Sequence, residues 1–470
     1  MNMEHDRAMK VLVILCLTVY PALGNSAVKD GNVCHFGALG DGQTDDTTAI
    51  QKAVDSGVGD VQLPKGVYRL TKPIVIDLDA LGFTSIHGNG VATLIMDGPG
   101  PALKFVGTHF KSADPKGFTP NVWQKQRMPL VDGLGILGHH PDAIGIQAAG
   151  TIALTVTRVH VRQALHGIHL TENNRNVIIS DCHIYENRGI GIYYDHVNLH
   201  QSNITACHIS YNHNGGIVSR AGNVRNLHIT GCDIESNMSP NVPPTANVLI
   251  DCSNSHGTGE VAITGCTIQH NHLSPGSANI RILSRSNAAH LTADIIREGN
   301  ITITGNVLSD VVVNVHLKDC RSAVITGNTF WKGYQHNLLV EGCSNIVVGP
   351  NCFDRNPRYR SYDGVVPHNS LIIRDSVDCT LTGIHITNVL LDPAALLVEN
   401  CRRMNITNCT ILDCDQVGLF LKNTSQSRVS DCLIRDDRPD AQSIPLKVVG
   451  GSDNMILDNA TTNNTRKVTP

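Results

Sequence analysis

The sequence runs to 470 residues with a formal net charge of −4; 17% of its side chains are charged, only 4% are aromatic, and 42 residues are glycine. It carries no basic footprint of a dedicated nucleic-acid binder, and beyond the N-terminus no segment is apolar enough to cross a bilayer as a helix. Such a chain, in which Asn, Thr, Ile and Val recur throughout, suits one long repetitive unit of short strands better than several globular domains.

Residues 1–24 read as a secretory signal peptide. They combine a charged start, an apolar run from Val11 to Val19 too short to span a membrane, and the small residues Ala22 and Gly24. The expected location is therefore secreted or periplasmic.

Residues 25–70 are expected to form a cap and the first strands. The stretch FGALGDGQTDDTTAIQKAV, from Phe36 to Val54, gathers Asp41, Asp45 and Asp46 around glycines. Gly40 and Gly42 permit a tight turn, and Thr44 or Asp45 can cap the helix that follows. Ala49, Ile50, Ala53 and Val54 make an apolar stripe able to plug an open end. An EF-hand does not fit, because the twelfth loop position lacks Glu and the ligand spacing is wrong. These acids read as parts of a short capping helix.

Between 71 and 455 the chain repeats itself, in segments such as NVIISDCHIYEN, NITACHISYN, LHITGCDIESN and VAITGCTIQHN, with a period of about 22 to 25 residues. A unit this short cannot bury a core alone, so neighbours must stack. The predicted fold is an all-β solenoid, a right-handed parallel β-helix by the usual chirality of parallel connections. The repeats also account for the 15 cysteines. Cys182, Cys207 and Cys232 form one stacked column with Asn306 and Asn328, and Cys320, Cys343 and Cys401 form another. Buried thiols fit this pattern better than disulfides or a metal site. Residues 456–470 are expected to be a polar tail.

The opening stretch, followed by Leu63-Pro64-Lys65-Gly66-Val67-Tyr68, resembles the N-terminal signature of the pectate-lyase-like superfamily. That superfamily holds right-handed β-helix proteins, among them polygalacturonase- and rhamnogalacturonase-type hydrolases, pectate-lyase-3-like proteins and phage tailspikes. The resemblance implies an extracellular polysaccharide as partner, bound in a trench along one sheet; it implies neither nucleic acid nor membrane as a partner, and it leaves the oligomeric state open. It points to the strands GIHL, GIGIYYD, GGIVSR, ANVLID and ANIRIL. Alternation along them sets Ile168, Ile192, Ile217, Val248, Ile280 and Val315 inward. One outward column then reads His169, Tyr193, Val218, Leu249, Arg281 and His316, and the next reads Thr171, Asp195, Arg220, Asp251, Leu283, Lys318 and Glu341.

Two chemistries and a binding role remain open at this point. In β-elimination on a uronic-acid glycan, Arg220 or Arg281 clamps the sugar carboxylate and His213, His169 or Tyr193 serves as base or acid. Ca²⁺ is then a possible cofactor, with Asp195 and Asp251 as candidate ligands. In inverting hydrolysis of the polygalacturonase or rhamnogalacturonase type, Asp195 and Asp251 form the carboxylate pair, two rungs and roughly 9 to 10 Å apart. A non-catalytic glycan-binding solenoid is the third reading. His140, His272, Lys318 and Trp123, the last in the insertion 108–128, are candidate substrate contacts. In the matching rungs the chain lacks the N-T-D strand and D-D pair of polygalacturonase-type enzymes. Tyr194-Asp195-His196 weakly resembles the D-P-H motif of mannuronan epimerases.

Overall fold

The computed structural model describes residues 30–462, apart from 242, 254, 288–295, 355 and 360–362. The candidate signal segment 1–24 and the last eight residues of the tail lie outside the described residues.

Among the described residues forty-two strands form one continuous sheet, and its strand pairs are parallel. The inward column holds register from rung to rung: Ile168 faces Ile192, then Ile217, Val248, Ile280, Val315 and Leu338. All seven are at most 1% exposed. The architecture is the right-handed parallel β-helix that the short repeat requires. Each rung turns at residues with positive φ, Glu172, Asn176, Asp181 and Glu186 in one and His196, Gln201, Ala206 and Tyr211 in the next. Left-handed corners at matching places are thus a property of the whole solenoid and not of one site.

The helix Thr47–Asp55 buries Ile50, Ala53 and Val54. Each nearby acid has a structural partner. Asp45 accepts from the backbone N–H and hydroxyl of Thr47 and from the Thr71 hydroxyl. Asp46 accepts from the N–H groups of Leu39 and Gly40. Asp41 accepts from the N–H groups of Gln43 and Thr44.

The cysteine columns are continuous with Ser and Asn. Cys266 accepts from the Cys232 N–H, and the column passes on through Asn306, Asn328 and Asn351. Cys320 lies 3.1 Å from the Ser284 hydroxyl, and Cys343 follows on the next rung. All the described cysteines are free, and only Cys34 and Cys352 are exposed.

A longer ladder went unread in the sequence. The amides of Asn187, Asn212, Asn237, Asn247, Asn279, Asn314, Asn337 and Asn369 donate each to the next, at 2.7–2.9 Å for the first six bonds and 3.4 Å for the last. All are fully buried or nearly so. The ladder satisfies the corner backbone that feeds the site-bearing strands; Asn247, for example, also donates to the carbonyls of Gln269 and His270.

The expected tail boundary at 456 needs correction. Met455–Leu457 and Ala460–Thr461 still pair with the preceding rung. Asn454 and Asn459 extend the ladder chemistry to this end by accepting from the Ser427 and Cys432 N–H groups. Among the described residues no helix is long and apolar enough to cross a membrane.

Candidate functional site

Both outward columns expected from the alternation hold register in the structure. They do not form one open trench. Val218 and Leu249 are 0% and 3% exposed and pack with Ile190, Ala246 and Ala278 into a small second core. Covering two apolar side chains on an outward face is favourable, and Gly215 lies so close over Val218 that a Cβ there would meet its side chain. The polar positions therefore divide into two clusters.

The first cluster centres on Asp195. One carboxylate oxygen lies 3.0 Å from His169 Nε2, and the other lies 2.6 Å from His196 Nδ1. Tyr193 stacks on His169 with ring centroids 5.3 Å apart and planes 6° from parallel. Its phenol lies within electrostatic reach of both Asp195 and Arg220. His166 leans on both rings, and its Nδ1 accepts from the Ile190 N–H at 3.1 Å. Gln147 lies 3.4 Å from His169 Nδ1.

These contacts set protonation states. Burial pushes the Asp195 carboxyl up, but hydrogen bonds from His196, His169 and Tyr193 outweigh it and hold the group below the usual carboxylate range. Burial, then the Asp195 charge, pushes the Tyr193 phenol up to about 12, against the pull of Arg220. Burial, then His169, brings His166 down to about 4. The cluster thus holds an ionised carboxylate, a protonated phenol and a neutral buried imidazole.

His196 was missing from the sequence-derived site residues. Its ring is 76% exposed, and with Nδ1–H donated to Asp195 its Nε2 lone pair faces solvent. A carboxylate that orients an imidazole in this way leaves the far ring nitrogen able to accept a proton. The signal for it in the sequence is the Asp195-His196 adjacency within Tyr194-Asp195-His196, the triplet that weakly resembles the D-P-H motif.

Arg220 sits between Asp195 and Asp251 in its column, and among the described residues it forms no ion pair with either. Asp251 accepts from the Ser253 N–H at 3.0 Å. Asp195 and Asp251, the candidate Ca²⁺ ligands, stand two rungs apart with Arg220 between them. Asp195 spends both oxygens on imidazoles, and a cationic residue occupies the rung between the two acids. Among the described residues no three His, Cys, Asp or Glu side chains gather as a set able to hold a metal ion.

The second cluster lies farther along the same face. Arg281 donates to the carbonyls of Thr245 and Gly276 and to His316 Nδ1 at 3.1, 2.6 and 3.3 Å. It braces two loops and is not the open carboxylate clamp expected of it. His316 Nε2 lies 2.6 Å from Glu341, which Arg374 also engages. Lys318 is exposed beside Glu341 in the register.

The remaining expected contacts scatter. His272 stacks on Tyr334 at 3.7 Å and pairs with Asp363 at 2.6 Å. His140 accepts from the Asp142 N–H, and His213 is exposed in the loop before Ile217. Trp123 does not line this face. It packs edge-on against Phe118, which lies under Arg175 on the part of the rung beyond the Glu172 corner.

Two family models divide the chain. Residues 31–241 match "Rhamnogalacturonase A/epimerase, pectate lyase-like", and residues 250–470 match "Periplasmic copper-binding protein (NosD)". Among the described residues of that second part, every cysteine except Cys352 is buried. A mannuronan C5-epimerase of Azotobacter vinelandii is 56% identical over 46 residues, 9% of this chain and 2% of that protein. Alginate lyase 7 of the same organism is 57% identical over 44 residues, 8% of this chain and 5% of that protein. The chain thus spans only a small part of these curated relatives. Among solved structures, the A-module of an Azotobacter vinelandii mannuronan C-5 epimerase aligns at 15% identity and TM-score 0.45 over 92% of this chain and 97% of its own. The tailspike of E. coli bacteriophage HK620 aligns at 12% and 0.48 over 90% and 80%. The opening motif and the whole Asp195 cluster lie within residues 31–241, the part that matches the rhamnogalacturonase A/epimerase, pectate-lyase-like model.

Proposed function

We propose that this protein acts outside the cytoplasm on a uronic-acid-containing polysaccharide and breaks it by β-elimination. The observation that carries the reading is the Asp195 hub, which orients an exposed imidazole, His196, and contacts a phenol kept protonated, Tyr193, beside Arg220. Arg220 neutralises the sugar carboxylate and so acidifies the neighbouring C–H. His196 Nε2 takes that proton. The electron pair forms the ring double bond as the bond to the glycosidic oxygen breaks, and Tyr193 donates its proton to the departing oxygen.

The same residues support inverting hydrolysis poorly. That reaction needs one carboxyl held protonated as general acid, whereas Asp195 is held ionised and Asp251 is tied to a backbone N–H. A second reading has its own support. Mannuronan C5-epimerase and alginate lyase, the names of the short matches, describe outcomes that share the first proton abstraction, and returning the proton to the opposite face would give epimerisation. The test is a panel of acidic polysaccharides. Elimination raises near-ultraviolet absorbance from the unsaturated product, epimerisation changes sugar configuration by NMR without that absorbance, and reducing ends without absorbance would overturn both.

A further inference from the structure

Five rungs beyond Asp195, the corner leading into Gly333–Glu341 opens into a cavity of about 370 Å³. Trp331, Tyr359, Asn356 and Asn388 line it, with Lys332 and Val366. The Trp331 and Tyr359 rings meet at 40° with centroids 4.6 Å apart, so they touch and form one angled aromatic surface that floors the cleft. Tyr359 is 49% exposed and Val366 40% exposed, apolar surface that the solenoid core does not use. The Trp331 backbone is fixed on both sides: its N–H donates to the Leu308 carbonyl and its carbonyl accepts from the Asn314 amide of the buried ladder.

The charge of the cavity wall is cancelled. Lys332 Nζ lies 3.2 Å from Asp310, with both side chains at most 9% exposed, and 5.2 Å from the Trp331 ring centre. Among the described residues that line the cavity Lys332 is the one cation, and it is committed to Asp310, so a sugar carboxylate bound against this wall would lose water without a lining cation to meet it; Arg358 stands outside the lining, 5.9 Å over the Tyr359 ring. A neutral ring would lay its C–H face on the aromatic cleft and direct hydroxyls to the amides of Asn388 and Asn356. The volume lies toward the small end of the range for small-molecule sites, about 300–1,000 Å³.

We propose that the Trp331–Tyr359 cavity is a binding site for a neutral pyranose ring of a saccharide. It is independent of the reaction assigned to Asp195. The test uses the full chain with Trp123→Phe, which leaves Trp331 as the sole tryptophan of the two. Its emission is titrated with neutral gluco-, galacto- and manno-oligosaccharides and with oligouronates. A saturable change with a neutral oligosaccharide is expected, with affinity at least tenfold weaker in Tyr359→Ala and Asn388→Ala and unchanged in Arg220→Ala. Binding of oligouronates alone, weakened by salt, would overturn the neutral-ring assignment. No saturable response to any member, or equal affinity in both cleft variants, would overturn the site. Because Arg220→Ala abolishes the proposed elimination and not this response, the two readings fail separately.

Discussion

Replacing Asp195 by Asn tests the proposed chemistry at its hub. The amide keeps the size of the side chain and its place in the register with Thr171 and Arg220. It loses the charge that supports the bonds to His196 at 2.6 Å and His169 at 3.0 Å. Hydrogen bonds to a charged group contribute about 1.5–3 kcal/mol each. If His196 loses about 2–3 kcal/mol of orientation, turnover falls roughly 30- to 150-fold at about 1.4 kcal/mol per decade. Asp195 is a quarter exposed, so the fold should hardly notice, and a thermal midpoint within a few degrees of wild type is expected. The assay is kcat on the best acidic polysaccharide, read by product absorbance, with circular dichroism as the control for folding. A well-folded variant keeping more than a third of wild-type kcat would refute the idea that Asp195 orients the base.

Other consequences are open to direct measurement. Tyr193→Phe should lower kcat at least tenfold with little change in KM, and alkaline spectrophotometric titration should show the loss of one tyrosine ionising near pH 12. Asn247→Ala removes the partner of the buried Asn237 N–H and amide and of Asn279; orphaned buried groups cost about 1–3 kcal/mol each, so urea unfolding should show a loss of roughly 3–5 kcal/mol, and a loss below 1 kcal/mol would mean the ladder is dispensable. His166 stays neutral in the fold down to about pH 4, whereas unfolded His takes its proton near ~6.5. The unfolded state therefore binds more protons as pH falls through that window, and stability drops by at most about 3 kcal/mol; in His166→Gln the decline should be shallower, and identical slopes would contradict the burial argument. Thiol labelling of the native protein should reach Cys34 and Cys352 and, among the described cysteines, no others until denaturant is added.

Much of this molecule is legible in one dimension. The 22–25-residue period and the strict alternation of Ile, Val and Leu determine a stacked solenoid, its inward columns and its outward register, because both are local properties of a strand that repeats on every rung. The cysteines are explained by the same period, and the acids of the opening motif by turn and cap chemistry.

The site was only half readable because contact between outward side chains depends on what covers them. Alternation along the strands puts Tyr193, Asp195 and Arg220 on one outward face, and the structure keeps them in register there. That Val218 and Leu249 interrupt it, that Arg281 braces loops, and that Trp123 packs elsewhere depend on loops tens of residues away. His196 joins the cluster because Asp195 is followed by a left-handed corner at φ 48°, where its ring meets the preceding carboxylate. The buried asparagine ladder is the clearest case. Its members sit at intervals of 10 to 35 residues, so no short window reveals them, and only the stacking of rungs brings each amide within a hydrogen bond of the next.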